Sequence, residues 1–383
     1  MKEQIVYAGR DWLLYLQQVL TETHSKTPML VCGKHILKQE ELKDFISNSQ
    51  YQFTVFTDFQ PNPEYSSAIN AAEVFQKQHC DFMLAIGGGS AIDTAKCARR
   101  FSGMDLSKDC QIQTSKDNRV KMLAIPTTAG SGSEATRFAV IYRNNQKYSV
   151  SGDDMLPDYV ILDPGLLYDL PDYHKKSCFL DALCQAVESW WSLKASEESI
   201  AYSKKAIVLL MKNFKKYFSL NTNGLDKNDK DRTIIKTIYA DVLLGAHYAG
   251  KAINITTTTA AHAMSYGLTK KFSLAHGHAV ALCMIQVWQN LLKSNNQNLD
   301  FILKDISQAF GSNTKEGALN KFMLILNDLQ MAVPHDVSKN AIQQLAETVN
   351  IQRLGNHPVQ LQFEDLYVMY TNFLGQNQVK GNL

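Results

Sequence analysis

The sequence predicts an α/β domain built on a parallel sheet, followed by an all-α domain. Two observations carry this prediction: short apolar runs alternate with amphipathic stretches up to about residue 163, whereas long helical patterns dominate from about residue 173. A third is the length of 383 residues, which exceeds what one hydrophobic core usually organises. We place the boundary between these two patterns, which gives domains 1–166 and 167–383.

The predicted strands of the first domain are short apolar runs, most of which lead directly into Gly, Pro or Asp. They are Pro28–Cys32, Gln52–Phe56, Asp81–Ile86, Lys121–Ile125 and Tyr159–Leu162. Amphipathic stretches such as 66–79 and 91–100 lie between them. Buried strands separated by helices are typical of βαβ units, which form a parallel sheet. In the second domain, Ile200–Phe218 and Arg232–Ala249 have the apolar periodicity of helices.

The composition is that of a globular protein, with 45% hydrophobic and 20% charged residues. The formal net charge of +2 gives no general attraction to nucleic acid. The seven cysteines are scattered and contain no CxxC pair, which argues against a zinc ribbon and a disulfide framework. The N-terminus has no signal-peptide pattern, and no apolar run is long enough to span a bilayer. We therefore expect a cytoplasmic protein without nucleic-acid or membrane partners.

A glycine-rich turn joins a predicted strand to a predicted helix in DFMLAIGGGSAIDTAK. Glycines let the backbone approach a phosphate closely, and the start of the helix offers unpaired N–H groups and the positive end of its dipole. The Ser90 hydroxyl adds a donor, and Asp93 lies in the first turn, where a carboxylate is tolerated. The alternative is an ordinary strand-to-helix turn, which rarely needs three consecutive glycines.

A second loop of hydroxyl residues and glycines follows the next predicted strand in AIPTTAGSGSEAT, where Thr127 and Thr128 are available to phosphate oxygens. Two such loops at the carboxyl ends of parallel strands indicate a ligand site at a switch point of the sheet. Gly33 and Lys34 follow Pro28–Cys32, where the adenosine ribose of a dinucleotide is expected, and leave room and charge for a 2′-phosphate. The loops predict NAD(P)H, and Gly33 with Lys34 permits NADPH or favours it over NADH. The alternative is that Lys34 is simply solvated and has no part in cofactor binding.

Three of the ten histidines (262, 276 and 278) lie in one segment made mostly of small, apolar and hydroxyl residues. Asp181 and Gln185 are four residues apart, which places both on one face of a predicted helix. A carboxylate, an amide oxygen and two imidazoles would form a nitrogen–oxygen shell for Fe²⁺ or Zn²⁺. The alternative is that the histidines are ordinary packed side chains, that Asp181 caps or pairs locally and that Gln185 is a surface residue.

Five motifs along the chain together resemble one known family. In order, they are GGGSAIDTAK, IPTTAGSGSEAT, LDPGLLYDLP, DALCQAVES and HAMSYGLTKKFSLAHGHAV. They resemble the iron-containing (group III) alcohol dehydrogenases, and the similarity extends from about residue 28 to residue 374. The resemblance implies a Rossmann-like nucleotide-binding domain, a helical metal-binding domain and a cleft between them. Glycerol dehydrogenase and dehydroquinate synthase share this fold, so we expect a dehydroquinate synthase-like fold.

The resemblance also implies roles for individual residues through the motif positions that they occupy. The cofactor-binding positions that match are Asn62, Gly88, Gly89, Ser90, Thr127, Thr128 and Lys147. The metal-binding positions that match are Asp181, His262 and His276. Two family histidines are replaced in this chain, one by Gln185, a weak neutral ligand, and the other by Tyr266. The candidates for the proton donor in an aldehyde reduction are Tyr266, His278 and solvent, and Tyr266 is also consistent with a packing role.

Several side chains that can donate hydrogen bonds lie in two places in the sequence, just before the first metal-binding histidine and just after the second loop. Lys251 and four successive threonines, Thr256–Thr259, precede the first metal histidine, and Arg137 follows the second loop. Hydroxyls and cations beside an aldehyde site suit an anionic head group, either phosphate-like or carboxylate. We take Arg137, Lys251, Thr257 and Thr258 as candidates for substrate binding. The alternative is that the threonines cap helices or lie in the core and that the cations are solvated.

Within the family, TTAGSGSEATRFAVIY, DALCQAVESWWS and GKAINITTTTAAHAMSY resemble most closely the phosphonoacetaldehyde reductase branch. The resemblance implies metal- and NAD(P)H-dependent reduction of phosphonoacetaldehyde to 2-hydroxyethylphosphonate, and we expect a homodimer or a larger homo-oligomer. The alternatives are a general short-chain alcohol dehydrogenase (lactaldehyde-, propanediol- or hydroxybutyrate-type), a metal-independent reductase, and a nucleotide-binding relative that has lost catalysis. A lyase related to dehydroquinate synthase is less consistent with these motifs.

Overall fold

The computed structural model of the protein describes residues 3–9, 11–110, 113, 120–144, 146–220 and 231–375. The chain forms two compact units. Unit 1 comprises Met1–Leu170 and Leu220–Leu243, and unit 2 comprises Pro171–Ser219 and Leu244–Leu383. The sequence pattern gave no sign that a later segment returns to unit 1, and the domain boundary between residues 166 and 167 stays a prediction.

The strands of unit 1 form a parallel sheet and a separate antiparallel pair. The described strands are β1 (Ile5–Ala8), β2 (Pro28–Cys32), β3 (Thr54–Phe56), β4 (Phe82–Gly87), β5 (Lys121–Pro126), β6 (Phe138–Arg143), β7 (Gln146–Ser151) and β8 (Tyr159–Leu162). Six of them pair in parallel in the order β1-β8-β5-β4-β2-β3, and β6 pairs with β7. The edge strand β1 is missing from the predicted strands, although its residues, IVYA, form a short apolar run before Gly9. As an edge strand it is largely exposed, with Ile5 49% exposed.

Helices cover both faces of the parallel sheet. They are α1 (Trp12–Glu22), α2 (Glu40–Asn48), α3 (Tyr65–Lys77) and α4 (Gly89–Phe101). Side chains alternate along a strand, so Leu30 and Leu84 share a core with α1 and α2, whereas Met29 and Met83 share a core with α3 and α4. Burial on both faces explains why β2 and β4 are continuous apolar runs rather than alternating ones.

The described elements of unit 2 are helices. They are α5 (Asp172–Trp191), α6 (Glu197–Ser219), the part of α7 (Asp231–Thr256) after Leu243, α8 (Ala260–Phe272), α9 (His276–Leu292), α10 (Gln297–Ala309), α11 (Gly317–Asp328), α12 (Lys339–Glu347), α13 (Ile351–Leu354) and α14 (Phe363–Leu374). Helices α5 and α9 lie very close together, since a Cβ at Gly277 would lie 2.0 Å from the carbonyl oxygen of Ser177. Glycine at this position therefore allows α9 to begin beside the middle of α5.

Short 3₁₀ turns complete the described structure of unit 1. They are Ile36–Lys38, Ser133–Ala135, Asp153–Met155 and Pro164–Leu167. The predicted fold class, a parallel-sheet α/β part followed by a helical part, is confirmed. Among the residues described above, no helix combines the length and the apolar character needed to cross a membrane.

Candidate metal site and nucleotide loops

Three side chains that can ligate a metal ion meet in unit 2. Asp181 lies on α5, His262 on α8, and His276 is the first residue of α9. Each offers one ligand atom, and these atoms all lie within 4.8 Å of one another. His262 Nε2 is 3.2 Å from Asp181 Oδ1, and the centroids of the two imidazole rings are 5.5 Å apart. The fold thus brings together the three residues that the resemblance matched to metal ligands.

A buried carboxylate, Glu188, holds His262 from the side opposite Asp181. Glu188 Oε2 is hydrogen-bonded to His262 Nδ1, while Oε1 accepts hydrogen bonds from the Ala261 backbone N–H (2.8 Å) and the Thr259 hydroxyl (2.7 Å). Such a partner fixes the orientation of an imidazole and leaves its Nε2 for a metal ion. Sequence reasoning missed Glu188, although it lies seven residues after Asp181, two helical turns along the same face of α5.

The two carboxylates and His262 determine one another's protonation. Burial raises the pKa of Asp181 and of Glu188, but the hydrogen bonds and charge of His262 outweigh burial, so both pKa values lie below their usual range. Burial lowers the pKa of His262, and the two carboxylates reverse this and raise the pKa to about 9. Without metal, His262 therefore keeps a proton between two anions, and a metal ion bound at Nε2 would take the place of that proton.

The donor set fits a divalent metal ion of the Fe²⁺ or Zn²⁺ type. One carboxylate and two imidazoles are ligands that these ions accept, and a carboxylate behind one imidazole is the usual second partner of a metal-binding histidine. Gln185, one turn after Asp181, is buried, and a hydrogen bond from its side chain helps to lower the pKa of Asp181. Its amide thus lies at the cluster, and its role as a ligand stays a prediction.

Tyr266 connects the metal ligands to an arginine. Its ring is stacked on that of His276, with centroids 5.6 Å apart and an interplanar angle of 3°. Its phenolic oxygen accepts a hydrogen bond from Arg353 Nη1 at 2.9 Å, and the guanidinium carbon lies 5.0 Å from the Tyr266 ring centroid. Sequence reasoning assigned no role to Arg353, because 87 residues separate it from Tyr266 and no local spacing links them.

The other proton-donor candidate, His278, belongs to a different contact. Its Nδ1 lies 3.0 Å from the phenolic oxygen of Tyr173. Burial lowers the pKa of His278, so its imidazole is neutral near pH 7. Of the two candidates, Tyr266 is the one whose ring contacts a residue of the metal cluster in the described structure.

The four threonines form the end of α7 and the turn before α8. The Thr256 hydroxyl donates a hydrogen bond to a serine of α5, and the Thr259 hydroxyl donates to Glu188, so these two are structural. Thr257 has a left-handed φ of 59°. Thr257 and Thr258 are more exposed than their neighbours, and they stay candidates for substrate binding.

The two predicted substrate-binding cations belong to different units. Lys251 lies on the part of α7 that belongs to unit 2, with its Nζ 4.5 Å from the centroid of the Tyr202 ring. Arg137 belongs to unit 1, where its Nη1 lies 3.3 Å from Asp153 Oδ1 in an exposed ion pair. Arg137 therefore already has an acidic partner, whereas Lys251 contacts a neutral ring in the unit that holds the metal ligands.

In unit 1, the glycine turn and the second loop pack against each other. The turn joins β4 to α4, and Gly88 is the residue that precedes the helix. A Cβ at Gly88 would lie 3.2 Å from Thr128 Cγ2, and a Cβ at Gly89 would lie 2.9 Å from Ser131 Oγ. Glycine is therefore needed for this close approach, which brings two of the predicted phosphate-binding segments together at the N-terminus of α4.

Other predicted cofactor residues lie at the same edge of the sheet. The Thr127 backbone N–H donates to the carbonyl oxygen of Gly87 (3.0 Å), and the Asn62 N–H donates to Ser90 Oγ (3.3 Å). Gly33 follows β2, which pairs with β4 in the sheet. The carboxyl ends of neighbouring parallel strands, where open α/β sheets bind ligands, thus carry these residues.

Asp93 holds the second loop onto α4. Its Oδ1 accepts a hydrogen bond from the Ser133 hydroxyl, and its Oδ2 accepts one from the Val140 N–H at 2.8 Å. Burial raises the pKa of Asp93; the charge of Lys96 is the largest influence in the opposite direction, and the charge of Lys147 is a smaller one. Both oxygens of Asp93 are used in contacts within the protein, and direct binding of the cofactor by Asp93 and Lys147 stays a prediction.

Lys96, on the same helix, is a buried cation that sequence reasoning did not single out. Its Nζ donates hydrogen bonds to the carbonyl oxygens of Thr136 (2.8 Å) and Phe138 (2.9 Å), at the end of the second loop. Burial lowers the pKa of Lys96 to about 8. A lysine within GGGSAIDTAK was visible in the sequence, but its position alone could not show that the side chain is fully buried.

Comparison with known proteins identifies the family of the chain. The family model "Iron-containing alcohol dehydrogenase" matches residues 4–164, and "Fe-containing alcohol dehydrogenase family, C-terminal" matches residues 177–373. A parallel sheet with two loops suited to phosphate and a cluster of one aspartate and two histidines are what an enzyme that uses a nucleotide cofactor and a divalent metal ion needs. The chain belongs to the iron-containing alcohol dehydrogenase family. The predicted family, with its divalent metal and NAD(P)H cofactors, is thereby confirmed.

Named relatives are similar over different parts of the chain. A phosphonoacetaldehyde reductase of Streptomyces viridochromogenes is 32% identical over 215 residues, which cover 53% of this chain and 51% of that protein. Alcohol dehydrogenase 4 of Schizosaccharomyces pombe is 28% identical over 338 residues, which cover 85% of this chain and 76% of that protein. The match thus spans about half the length of the phosphonoacetaldehyde reductase.

Solved structures share the fold over nearly the whole chain. The sulfoacetaldehyde reductase from Bifidobacterium kashiwanohense in complex with NAD⁺ has a TM-score of 0.88 at 23% identity, covering 98% of both chains. An iron-containing alcohol dehydrogenase from Thermotoga maritima has a TM-score of 0.81 at 24% identity, covering 98% of this chain and 99% of that one. At these identities the likeness shows the fold, and it agrees with the expected dehydroquinate synthase-like architecture.

Proposed function

We propose that the protein reduces a small aldehyde to its primary alcohol with NAD(P)H and a divalent metal ion, and that the aldehyde carries an anionic group. Phosphonoacetaldehyde, reduced to 2-hydroxyethylphosphonate, is the first candidate. The observation that carries the proposal is the cluster of Asp181, His262 and His276, with Glu188 behind His262. Aldehyde reduction needs a group that stabilises negative charge on oxygen, and this cluster is built to hold one.

The residues of unit 2 would hold and orient the metal ion. Asp181, His262 and His276 would be its ligands, and Glu188 keeps the Nε2 of His262 directed towards Asp181. When bound, a divalent metal ion supplies Lewis acidity towards an aldehyde oxygen, and NAD(P)H supplies the hydride. In unit 1, the Gly88–Ser90 turn and the loop at Thr127 and Thr128 would bind the cofactor's phosphates.

Tyr266 is our preferred proton donor to the alcohol oxygen. Its ring is stacked on that of His276, a residue of the metal cluster, and a phenol is a group that can donate a proton. His278 and solvent stay alternatives, since His278 is hydrogen-bonded to Tyr173.

Two observations support an anionic aldehyde. Lys251, Thr257 and Thr258 are cationic or hydroxyl-bearing residues of unit 2 that precede the metal-binding His262 in the chain. The similarity to a phosphonoacetaldehyde reductase, at 32% identity over half the chain, points to the same substrate. Arg137 stays a candidate in unit 1, with the qualification that it already pairs with Asp153.

A substrate panel tests the proposal. The purified protein, loaded with Fe²⁺ or Zn²⁺ and with its metal content measured, is assayed for NADH and NADPH oxidation with phosphonoacetaldehyde, sulfoacetaldehyde, lactaldehyde and propionaldehyde. We expect kcat/KM for phosphonoacetaldehyde to exceed that for propionaldehyde by about 10- to 100-fold, because one or two charge-assisted hydrogen bonds distinguish them. Equal values would refute the anionic substrate, and full activity in metal-free protein would refute the role of the metal.

A general short-chain aldehyde reductase is the second candidate. The match to alcohol dehydrogenase 4 covers 85% of the chain, a larger share than the phosphonoacetaldehyde reductase match does. Similar rates with lactaldehyde and propionaldehyde, and no advantage for the phosphonate, would favour it. NAD(P)H binding without turnover of any aldehyde would favour a relative that has lost catalysis. A cytoplasmic location and a homodimer or larger homo-oligomer stay predictions from the sequence.

A further inference from the structure

Arg353 differs from the other arginine side chains that the structure describes. Four of the five form an ion pair with an aspartate: Arg99 with Asp158, Arg100 with Asp154, Arg137 with Asp153 and Arg143 with Asp109. Within the described part of the chain, Arg353 has no such partner. Its contacts there are with the ring and the phenolic oxygen of Tyr266, which is neutral. A half-buried cation held by a neutral group can still accept an anion from outside the protein.

The position of Arg353 relates it to the metal cluster. The guanidinium carbon lies 5.0 Å from the centroid of the Tyr266 ring, and this ring is stacked on the imidazole of His276. One aromatic side chain therefore touches both the cation and a predicted metal ligand. The three side chains come from α13, α8 and α9, all in unit 2, so the arrangement belongs to a single compact unit.

The guanidinium group of Arg353 also has enough hydrogen-bond donors to bind an anion. It carries five N–H donors in a planar fork, and one of them is used by the phenolic oxygen of Tyr266. A fork of this kind binds two oxygens of a phosphonate, sulfonate or carboxylate at once, which an ammonium group does not do. The bond to Tyr266 holds Arg353 in place before a ligand arrives, which lowers the entropy lost on binding.

We infer that Arg353 binds the anionic head group of the substrate and so selects an aldehyde with a phosphonate, sulfonate or carboxylate group at its far end. This inference rests on the proposed function, which is aldehyde reduction at the Asp181–His262–His276 cluster. It adds the residue that binds the other end of the substrate. Lys251, Thr257 and Thr258 would then assist Arg353. Arg353 is a residue of substrate specificity, since it binds a part of the substrate that does not react.

The test separates binding of the anion from the chemistry. Arg353→Met and Arg353→Lys are compared with the wild type, and Lys339→Met, which removes an exposed lysine of α12, is the control. Each metal-loaded protein is assayed with phosphonoacetaldehyde, sulfoacetaldehyde and propionaldehyde. For Arg353→Met we expect KM for the two anionic aldehydes to rise about 30- to 100-fold, as for the loss of a charged hydrogen-bonding partner, and kcat/KM for propionaldehyde to fall far less.

Two further comparisons make the result specific. Arg353→Lys should lie between the wild type and Arg353→Met, because it restores the charge without the planar fork. Ethylphosphonate, which has the head group but no aldehyde, should inhibit propionaldehyde reduction competitively in the wild type and about 30- to 100-fold more weakly in Arg353→Met. The ratio between the phosphonate and the sulfonate aldehyde shows which oxyanion the site prefers.

Several outcomes would overturn the inference. An equal loss with anionic and neutral aldehydes would mean that Arg353 only supports Tyr266 and the fold, and unchanged selectivity would mean that another residue binds the anion. Both leave the proposed aldehyde reduction intact. If the wild type reduces none of the aldehydes, the proposed function fails, and calorimetry with ethylphosphonate still decides on Arg353: binding lost in Arg353→Met supports its role, and equal binding refutes it.

Discussion

The two units use buried charge in opposite ways. In unit 1, the charged side chains next to the glycine turn face inward: Asp93 binds Ser133 and a backbone N–H, and Lys96 binds two backbone carbonyl oxygens. In unit 2, Asp181 and His262 direct ligand atoms towards a common point, and Glu188 holds His262 from behind. In unit 1, the backbone N–H groups are therefore left to contact a ligand. In unit 2, the side chains themselves contact the ligand.

The difference follows from the ligands that the two regions are suited to. A phosphate is bound well by N–H groups at the start of a helix, so charged side chains are useful there mainly to hold the loops in shape. A divalent metal ion needs anionic or imidazole ligands, so the side chains themselves must converge. Substitution of a charged residue should therefore shift the cofactor-binding loops in unit 1, whereas in unit 2 it should weaken binding of the metal ion directly.

The largest effect is expected for Glu188→Gln in unit 2. An amide keeps the size of Glu188 and can still accept a hydrogen bond from the Ala261 N–H, but it loses the negative charge beside His262 Nδ1. Removing such a partner of a metal-binding histidine typically weakens metal binding by about 10- to 100-fold. We expect metal content after dialysis, measured by elemental analysis, to fall accordingly, and activity to return when excess metal is added.

Glu198→Gln is the control for this prediction, because it makes the same change at an exposed position of α6 in the same unit. It should retain both metal and activity. If Glu188→Gln bound the metal ion as tightly as the wild type, the prediction would be wrong. The carboxylate behind His262 would then serve only to cap α8.

A smaller effect, on a different quantity, is expected for Lys96→Met in unit 1. The substitution leaves the carbonyl oxygens of Thr136 and Phe138 without the buried ammonium donor, which costs free energy and loosens the end of the second loop. We expect KM for NAD(P)H to rise about tenfold while metal content stays at the wild-type level. Lys77→Met, at an exposed position of α3, should change neither quantity. Loss of metal in Lys96→Met would contradict the separation between the units.

More of the fold than of the buried charged contacts could be predicted from the sequence. The strands β2, β4 and β5 are buried on both faces, so each shows as an apolar run next to Gly or Pro. The edge strand β1, IVYA before Gly9, has the same kind of run but is only four residues long and largely exposed, and it was missed. Nothing in the sequence of Leu220–Leu243 indicates that this segment belongs with unit 1. Its place depends on contacts with residues far away in the chain, which local periodicity does not record.

The site shows the same limit at the level of single residues. Asp181, His262 and His276 could be proposed because their residue types are unusual in an apolar setting and their motifs resemble a family. Glu188 could have been proposed in the same way, because it follows Asp181 by seven residues and so lies on the same helical face as Gln185, which follows Asp181 by four. Arg353 could not be found this way, because its contact with Tyr266 spans 87 residues.

The last effect in this comparison is a pH dependence of stability from Lys96, which is measured on unfolding and not on function. Its pKa of about 8 in the folded protein lies below the ordinary value of 10.5. Between these values the unfolded chain binds the proton and the folded protein does not, so the free energy of unfolding rises with pH through this window, by about 3 kcal/mol in total. Below pH 8 both states are protonated, and the contribution no longer changes.

Urea unfolding of the wild type and of Lys96→Met across this pH window measures the effect as a difference, in which other titrating groups cancel. The stability of the wild type relative to Lys96→Met should increase from pH 8 towards pH 10.5, whereas Lys77→Met should run parallel to the wild type. Parallel curves for Lys96→Met would mean that the folded protein keeps the Lys96 proton at its ordinary pKa. The charge of Asp93 and the hydrogen bonds to the two carbonyl oxygens would then offset the whole cost of burying the Lys96 ammonium group.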